Sequence, residues 1–169
     1  MSELNPNSLR ARHRDLEVEV AEAPDGGSGE LRIAVPSRHA RALLGRLYEE
    51  ESTKARRLVD LTAIDRWGPG PGVVGPRFEV IYRLESLQLS AALRVHAWVD
   101  EGETTLESVT GIWPVADWLE REVFDLFGLV FKGHPDLRRL LLEPGYVGAP
   151  LRKDSPLGGS RGTSGVAGS

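Results

Sequence analysis

Glu120, Glu122 and His134 are the residues whose types could do acid–base chemistry. Carboxyl and imidazole groups act in that way only in a pocket, with pKa values matched to the proton transfer. No nucleophile with a paired base accompanies them. The four histidines, His13, His39, His96 and His134, are scattered without metal-ligand spacing, and the chain has no cysteine. Thiolate zinc sites, ordinary iron–sulfur ligation and disulfides are therefore excluded within it. The Gly-rich 68–75 loop lacks the Lys-Ser/Thr pair of a phosphate cradle and joins two strands, so it does not bind a nucleotide by that route. These residue types form no recognisable catalytic constellation, which argues against an independent enzyme.

A chain of 169 residues is one domain by length. Folding it buries roughly two-thirds of its unfolded surface, so a core forms without staples. Net charge is −4, unevenly spread. From Phe131 onward six Lys/Arg face three Asp/Glu, while the first 130 residues hold 15 basic and 22 acidic groups. An acidic body with a basic tail argues against nucleic acid. Tyr82 and Trp98 could stack on bases, but each also suits a core or an interface. The tail fits an acidic protein surface. No apolar run approaches the ~20 residues of a membrane span, and the N-terminus carries no secretory pattern. Any link to a membrane is expected to run through a partner.

The elements that must position these groups read as β-β-α-β-β-β-α-tail, an α+β fold with a mostly antiparallel sheet, packed helices and an extended irregular C-terminal tail. Leu16, Val18 and Val20 alternate, then Leu31, Ile33 and Val35, with a turn over 24–29 between them. Ser37 opens a helix with the stripe Ala40, Leu43, Leu44, Leu47 and Tyr48. Residues 57–65 form a third strand with Val59, Leu61 and Ala63 on one side. Two long strands follow, one with Phe78, Val80, Tyr82 and Leu84 inward, the other with Leu89, Ala91, Leu93, Val95, Ala97 and Val99 inward. A second helical region is expected from about Glu107. The spacing predicts domain limits of 1–128 for the α+β body, 129–154 for an extended partner-binding tail, and 155–169 for a disordered Gly/Ser-rich end.

The last helix lies between Pro114, tolerated in a first turn, and Gly128, placed as a left-handed cap. On a wheel of about 100° per residue, Val115, Trp118, Leu119, Val123 and Leu126 form one apolar arc with Glu122 at its middle. Phe124 falls on the opposite arc among Asp117, Glu120, Arg121 and Asp125. A carboxylate on a core stripe costs several kcal/mol unless paired, so either Glu122 snorkels to water or the helix is packed on both sides. Asp125 lies in the last turn, where the helix dipole disfavours an anion. It wants a cation, which Arg138, Arg139, Arg152 or Lys153 can supply. Asp117 and Arg121 are spaced to pair.

Glu120-Arg121-Glu122, Asp125-Leu126-Phe127-Gly128, Phe131, and Gly133-His134-Pro135-Asp136-Leu137-Arg138-Arg139 resemble the signature of the C-type subunit of the peripheral arm of type I NADH:quinone oxidoreductase (respiratory complex I). Ser108-Val109-Thr110-Gly111-Ile112-Trp113-Pro114 upstream and Pro150-Leu151-Arg152-Lys153-Asp154 downstream extend the similarity. It is dense over 108–154 and looser from about Arg57, and the first fifty residues add little. The resemblance implies a scaffold without redox centres, docked on the D-type quinone-site subunit near the B-type iron–sulfur subunit. NADH, FMN, iron–sulfur clusters and quinone would sit in partner subunits, and the chain would be peripheral on the cytoplasmic side of a bacterial cell membrane. Related hydrogenase-like complexes use similar modules. Carried over by position, Glu120, Arg121, Glu122, Asp125, His134, Pro135, Arg138, Arg139, Arg152 and Lys153 would hold the tail and interface, with Phe124 and Gly128 added from the helix itself. Ser155 stands where the family usually has Phe, and Ala149 where His is expected.

Overall fold

In the computed structural model, residues 5–22, 30–68, 75–88 and 90–155 are described, with the backbone of Ser160–Arg161. Alternation makes the sheet. Strands β1 (Glu19–Glu22) and β2 (Leu31–Pro36) pair antiparallel, as the two alternating runs predict. The 24–29 turn between them lies outside the described residues. Strands β3 (Arg57–Asp65), β4 (Phe78–Ser86) and β5 (Ala91–Val99) form an antiparallel meander, and β2 joins β5 in parallel, giving the order β1-β2-β5-β4-β3. The fold is α+β with a mostly antiparallel sheet.

Helices α2 (Ser37–Glu49) and α3 (Ala116–Phe127) share one core with the inward side chains of the strands. Leu43, Leu44 and Leu47 of α2, Ala116 and Val123 of α3, and Phe78, Val80, Tyr82, Leu93 and Val95 of the sheet are all buried there. Trp113 fixes the approach to α3: its indole N–H donates to the Arg56 carbonyl at 3.1 Å, and its ring meets Tyr48 edge-on at 5.7 Å. On the other face of the sheet a row runs Arg32, Arg94, Arg83 and Asp60, next to a row Ala34, His96, Ile81 and Thr62. Glu79 is buried on that face by Arg32, Arg66 and His96.

Several local expectations give way. Residues Pro6–Arg12 form a helix, α1, that the alternation does not suggest; the Asn5 side chain accepts from the Asn7 N–H, and Leu9 is fully buried. Leu16 belongs to a 3₁₀ turn (Arg14–Leu16), so the first strand is shorter than its apolar pattern. The register slips between Leu58 and Asp60, so Val59 is only half-buried and Leu58 replaces it inward, as a bulge requires. Glu107 ends a strand, β6 (Thr105–Glu107), that pairs in parallel with β7 (Val130–Lys132); α3 begins only at Ala116. Leu89 and most of the 155–169 end lie outside the described residues, though Ser160–Arg161 pairs with β8 (Tyr146–Val147).

Candidate functional site

Helix α3 is turned by roughly 100°, one residue's worth of rotation, from the orientation the apolar arc predicts. Ala116, Glu120, Val123 and Phe127 face the core; Val115 and Trp118 are exposed, 49% and 60%, and Glu122 lies in water. The carboxylate on the buried side is Glu120, not Glu122. The apolar pattern loses its authority because the polar arc is covered as well, by the chain's own tail, whose backbone N–H groups meet Asp125 and whose carbonyls meet Arg121.

That cover is a clasp. The Asp125 carboxylate, fully buried, accepts the backbone N–H groups of Leu140, Leu141 and Leu142 at 3.0, 2.7 and 2.9 Å, and the Arg139 guanidinium at 2.8 Å. The expected cation for Asp125 is thus Arg139. Burial alone would raise the Asp125 pKa, but these donors hold it below the ordinary carboxylate value. Arg121, buried beside it, donates to the carbonyls of Arg138 and Arg139 at 3.1 and 3.4 Å and stacks over the Trp118 ring. It does not pair with Asp117, which instead faces His134: Nε2–H of His134 donates to the Asp117 carbonyl at 3.1 Å, while Nδ1 accepts the Asp136 N–H at 3.0 Å. Those two bonds fix the imidazole as the tautomer with its hydrogen on Nε2.

The tail also closes the end of α3. The last carbonyls of a helix lack partners within it. Here Gly128 N–H reaches the Phe124 carbonyl, Leu151 N–H the Leu126 carbonyl at 3.0 Å, and Arg152 the Phe127 carbonyl at 2.6 Å. A cation at this end also complements the helix dipole. Gly128 has φ 69°, and a Cβ there would stand 3.2 Å from the Arg152 Nη2. The two departures from the family pattern meet nearby: the Ser155 hydroxyl donates to the carbonyl of Ala149 at 2.5 Å.

A second anchor escapes the motif reading. Asp65 continues the inward positions Leu61 and Ala63, where a carboxylate is out of place; that position is its only trace in the sequence. It takes a two-toothed bond from Arg77 at 3.1 and 2.9 Å and the Lys153 N–H at 2.9 Å, and Arg77 also pairs with Asp154 at 2.7 Å. Burial pushes the Asp65 pKa up, yet Arg77, Trp67 and Lys153 together bring it down to about 2.

Glu120 is the contrast. One oxygen, Oε1, accepts the Val109 N–H at 2.7 Å; Oε2 is buried without a partner, as is the Tyr82 hydroxyl. Burial raises the Glu120 pKa against the Val109 donor. Burial, with the Glu120 charge added, pushes the Tyr82 hydroxyl up too.

Of the predicted site residues, the structure brings Arg121, Asp125, Gly128, His134, Arg139 and Arg152 into the clasp with their polar groups engaged by the chain itself, while Glu120 faces the core and is bonded through one oxygen. Phe124 is half-buried on the tail side; Glu122, Pro135, the Arg138 side chain (paired with Asp136) and the Lys153 side chain lie at the surface. Among the described residues no group of three or more His, Cys, Asp or Glu could hold a metal ion, and no helix is long and apolar enough to cross a membrane.

The class defined here is an α+β domain whose final helix is clasped by its own C-terminal strap. The chain belongs to the family described as the respiratory-chain NADH dehydrogenase, 30 Kd subunit, which matches residues 33–161. The match thus reaches into the first fifty residues, where the motifs alone carried little. The C-type subunit of NADH-quinone oxidoreductase from Thiobacillus denitrificans is 44% identical over 135 residues, spanning 78% of this chain and 67% of that one. Its counterpart in Geotalea uraniireducens is 44% identical over 131 residues, 78% and 76% of the two chains. Among solved structures, a trypsin-resistant fragment of Nqo5 superposes with a TM-score of 0.63 at 30% identity, over 78% of this chain and 98% of that one. An archaeal membrane-bound sulfane sulfur reductase, at 23% identity and TM-score 0.60 over 76% and 68% of the chains, shares the fold.

Proposed function

We propose that this chain is a non-catalytic scaffold subunit of a proton-pumping NADH:quinone oxidoreductase. It docks on the D-type quinone-site subunit and the B-type iron–sulfur subunit, so that electrons pass from NADH through FMN and iron–sulfur clusters in partner chains to quinone. It lies peripherally, on the cytoplasmic side of a bacterial cell membrane. The observation that supports this reading is the clasp: the Asp125 carboxylate and the His134 imidazole, one of the acid–base candidates, are bonded to backbone and hold the tail against α3. In this reading Glu120, Arg121, Asp125, Gly128, His134, Arg139 and Arg152 shape the docking surface from beneath. Glu122, Phe124, Pro135, Arg138 and Lys153 meet the partners.

The test is a mild-detergent pull-down of the tagged chain from native membranes. Recovery of the iron–sulfur and quinone-site subunits, with NADH:quinone activity in the eluate, is the expected result; the purified chain alone oxidises no NADH. Hydrogenase-type partners would keep the scaffold and change the electron donor. A lone monomer, while a control protein of the same membranes keeps its partners, would overturn the reading.

A further inference from the structure

With its polar arc spent on the tail, α3 shows the solvent an apolar stripe. Val115 and Trp118 are exposed, Leu119 and Leu126 are half-buried, and Glu122 is the one charged residue between them. The tail extends the stripe. Leu141 leaves from the Asp125 carboxylate and Leu151 from the Leu126 carbonyl, and both side chains are more than half exposed. An exposed tryptophan on the same helix face as aliphatic side chains is the composition of an interface centre.

Glu122 states what must cover it. No ion pair of Glu122 occurs among the described residues, and the neighbouring cation, Arg121, is buried and committed to the Arg138 and Arg139 carbonyls. An apolar cover alone would strand a carboxylate, which is strongly unfavourable; a cover with one cation at the centre would not. We propose that the outward stripe of α3, flanked by Leu141 and Leu151, seats an apolar segment of a partner subunit that brings a single Lys or Arg against Glu122. This rests on the reading that the chain docks in a larger complex, and it places one contact on a face where the clasp residues are not.

The absence of cysteine allows a direct test. Val115→Cys and, as control, Leu87→Cys at the exposed β4–β5 turn each give one thiol for maleimide, read as a mass shift on this chain. In the purified complex Val115→Cys is expected to label at least tenfold more slowly than in the isolated chain, and Leu87→Cys equally fast in both. Glu122→Arg is expected to lower co-purified partner subunits at least tenfold without moving the unfolding midpoint of the isolated chain; Trp118→Ala, which also gives up the Arg121 contact, is expected to lower them as far while the isolated chain still folds. Glu122→Gln is expected to lower them less than Glu122→Arg. Full labelling of Val115→Cys within an intact complex, or normal recovery of partners by Glu122→Arg, would overturn the stripe while leaving the docking reading standing. Protection by a second copy of this chain, seen as a dimer of the isolated protein, would overturn the heterologous partner. Failure of the unmodified chain to recover any other subunit would overturn docking itself.

Discussion

Asp125 and Glu120 lie on the same helix, both sealed from solvent, and their environments drive them in opposite directions. Asp125 is met by three backbone N–H groups and a guanidinium; Glu120 by a bond to one oxygen, with the other left bare. Burial is the leading cause in both and raises both. At Asp125 the donors outweigh it, and at Glu120 they do not. The difference lies in what covers each side of α3. The tail brings a run of unpaired backbone donors that need an acceptor. The sheet below Glu120 presents side chains whose backbone is already spent in the strand ladder. A carboxylate is therefore a fastener on one side of this helix and a latent defect on the other.

The comparison breaks most visibly when the fastener is removed. Asp125→Ala leaves three part-buried N–H groups and the partly exposed Arg139 without their acceptor, and is expected to cost about 2–4 kcal/mol in urea unfolding. Limited proteolysis of the same variant should cut first within 137–151. A loss below about 1 kcal/mol would mean that the tail is held by its leucines and not by the carboxylate. Gly128→Ala attacks the same side from the end of the helix. The left-handed backbone and the crowding of Arg152 together are expected to cost about 1–2 kcal/mol, with the tail again the first segment to open. Acid separates the anchors further. Because the Asp65 pKa is depressed to about 2, its contribution is complete above the ordinary carboxylate value and is lost as pH falls towards about 2. Asp125 follows the same sign. Asp65→Asn should flatten the acid limb of the stability curve, measured by urea midpoints across that window.

Much of this was legible in the sequence, and the failures have a common cause. The long strands β4 and β5, helix α2 and the need of Asp125 for a tail cation follow from alternation, stripe and dipole; that the cation is Arg139, of the four available, does not. The rotation of α3 did not, because a hydrophobic wheel assumes one buried face. Trp118 and Leu126 weigh more on it than Ala116, yet Ala116 is the residue small enough to sit flat on the sheet. Likewise β6 and β7 are three residues each, too short for alternation to show, and their parallel pairing is fixed by the tail's path and not by their own pattern. Asp65 was visible only as an error in an apolar series. Its partners, Arg77 and the Lys153 N–H, come from 12 and 88 residues away.

The smallest effect is the most diagnostic, because its sign is reversed. The folded chain holds the Glu120 proton more tightly than the unfolded chain does, so between the ordinary carboxylate value and the raised one the native state binds more protons, and stability declines as pH climbs through that window. Glu120→Gln keeps an acceptor for the Val109 N–H and puts a neutral amide where the unpartnered Oε2 stood. The variant should match the parent chain where the parent's carboxyl is protonated in both states and exceed it once that carboxyl ionises, read from urea midpoints across the window. Asp125→Asn, by contrast, should lose stability at every pH above its acid limb. If Glu120→Gln instead loses stability throughout, the carboxylate is satisfied in its charged form, and both sides of α3 fasten in the same way.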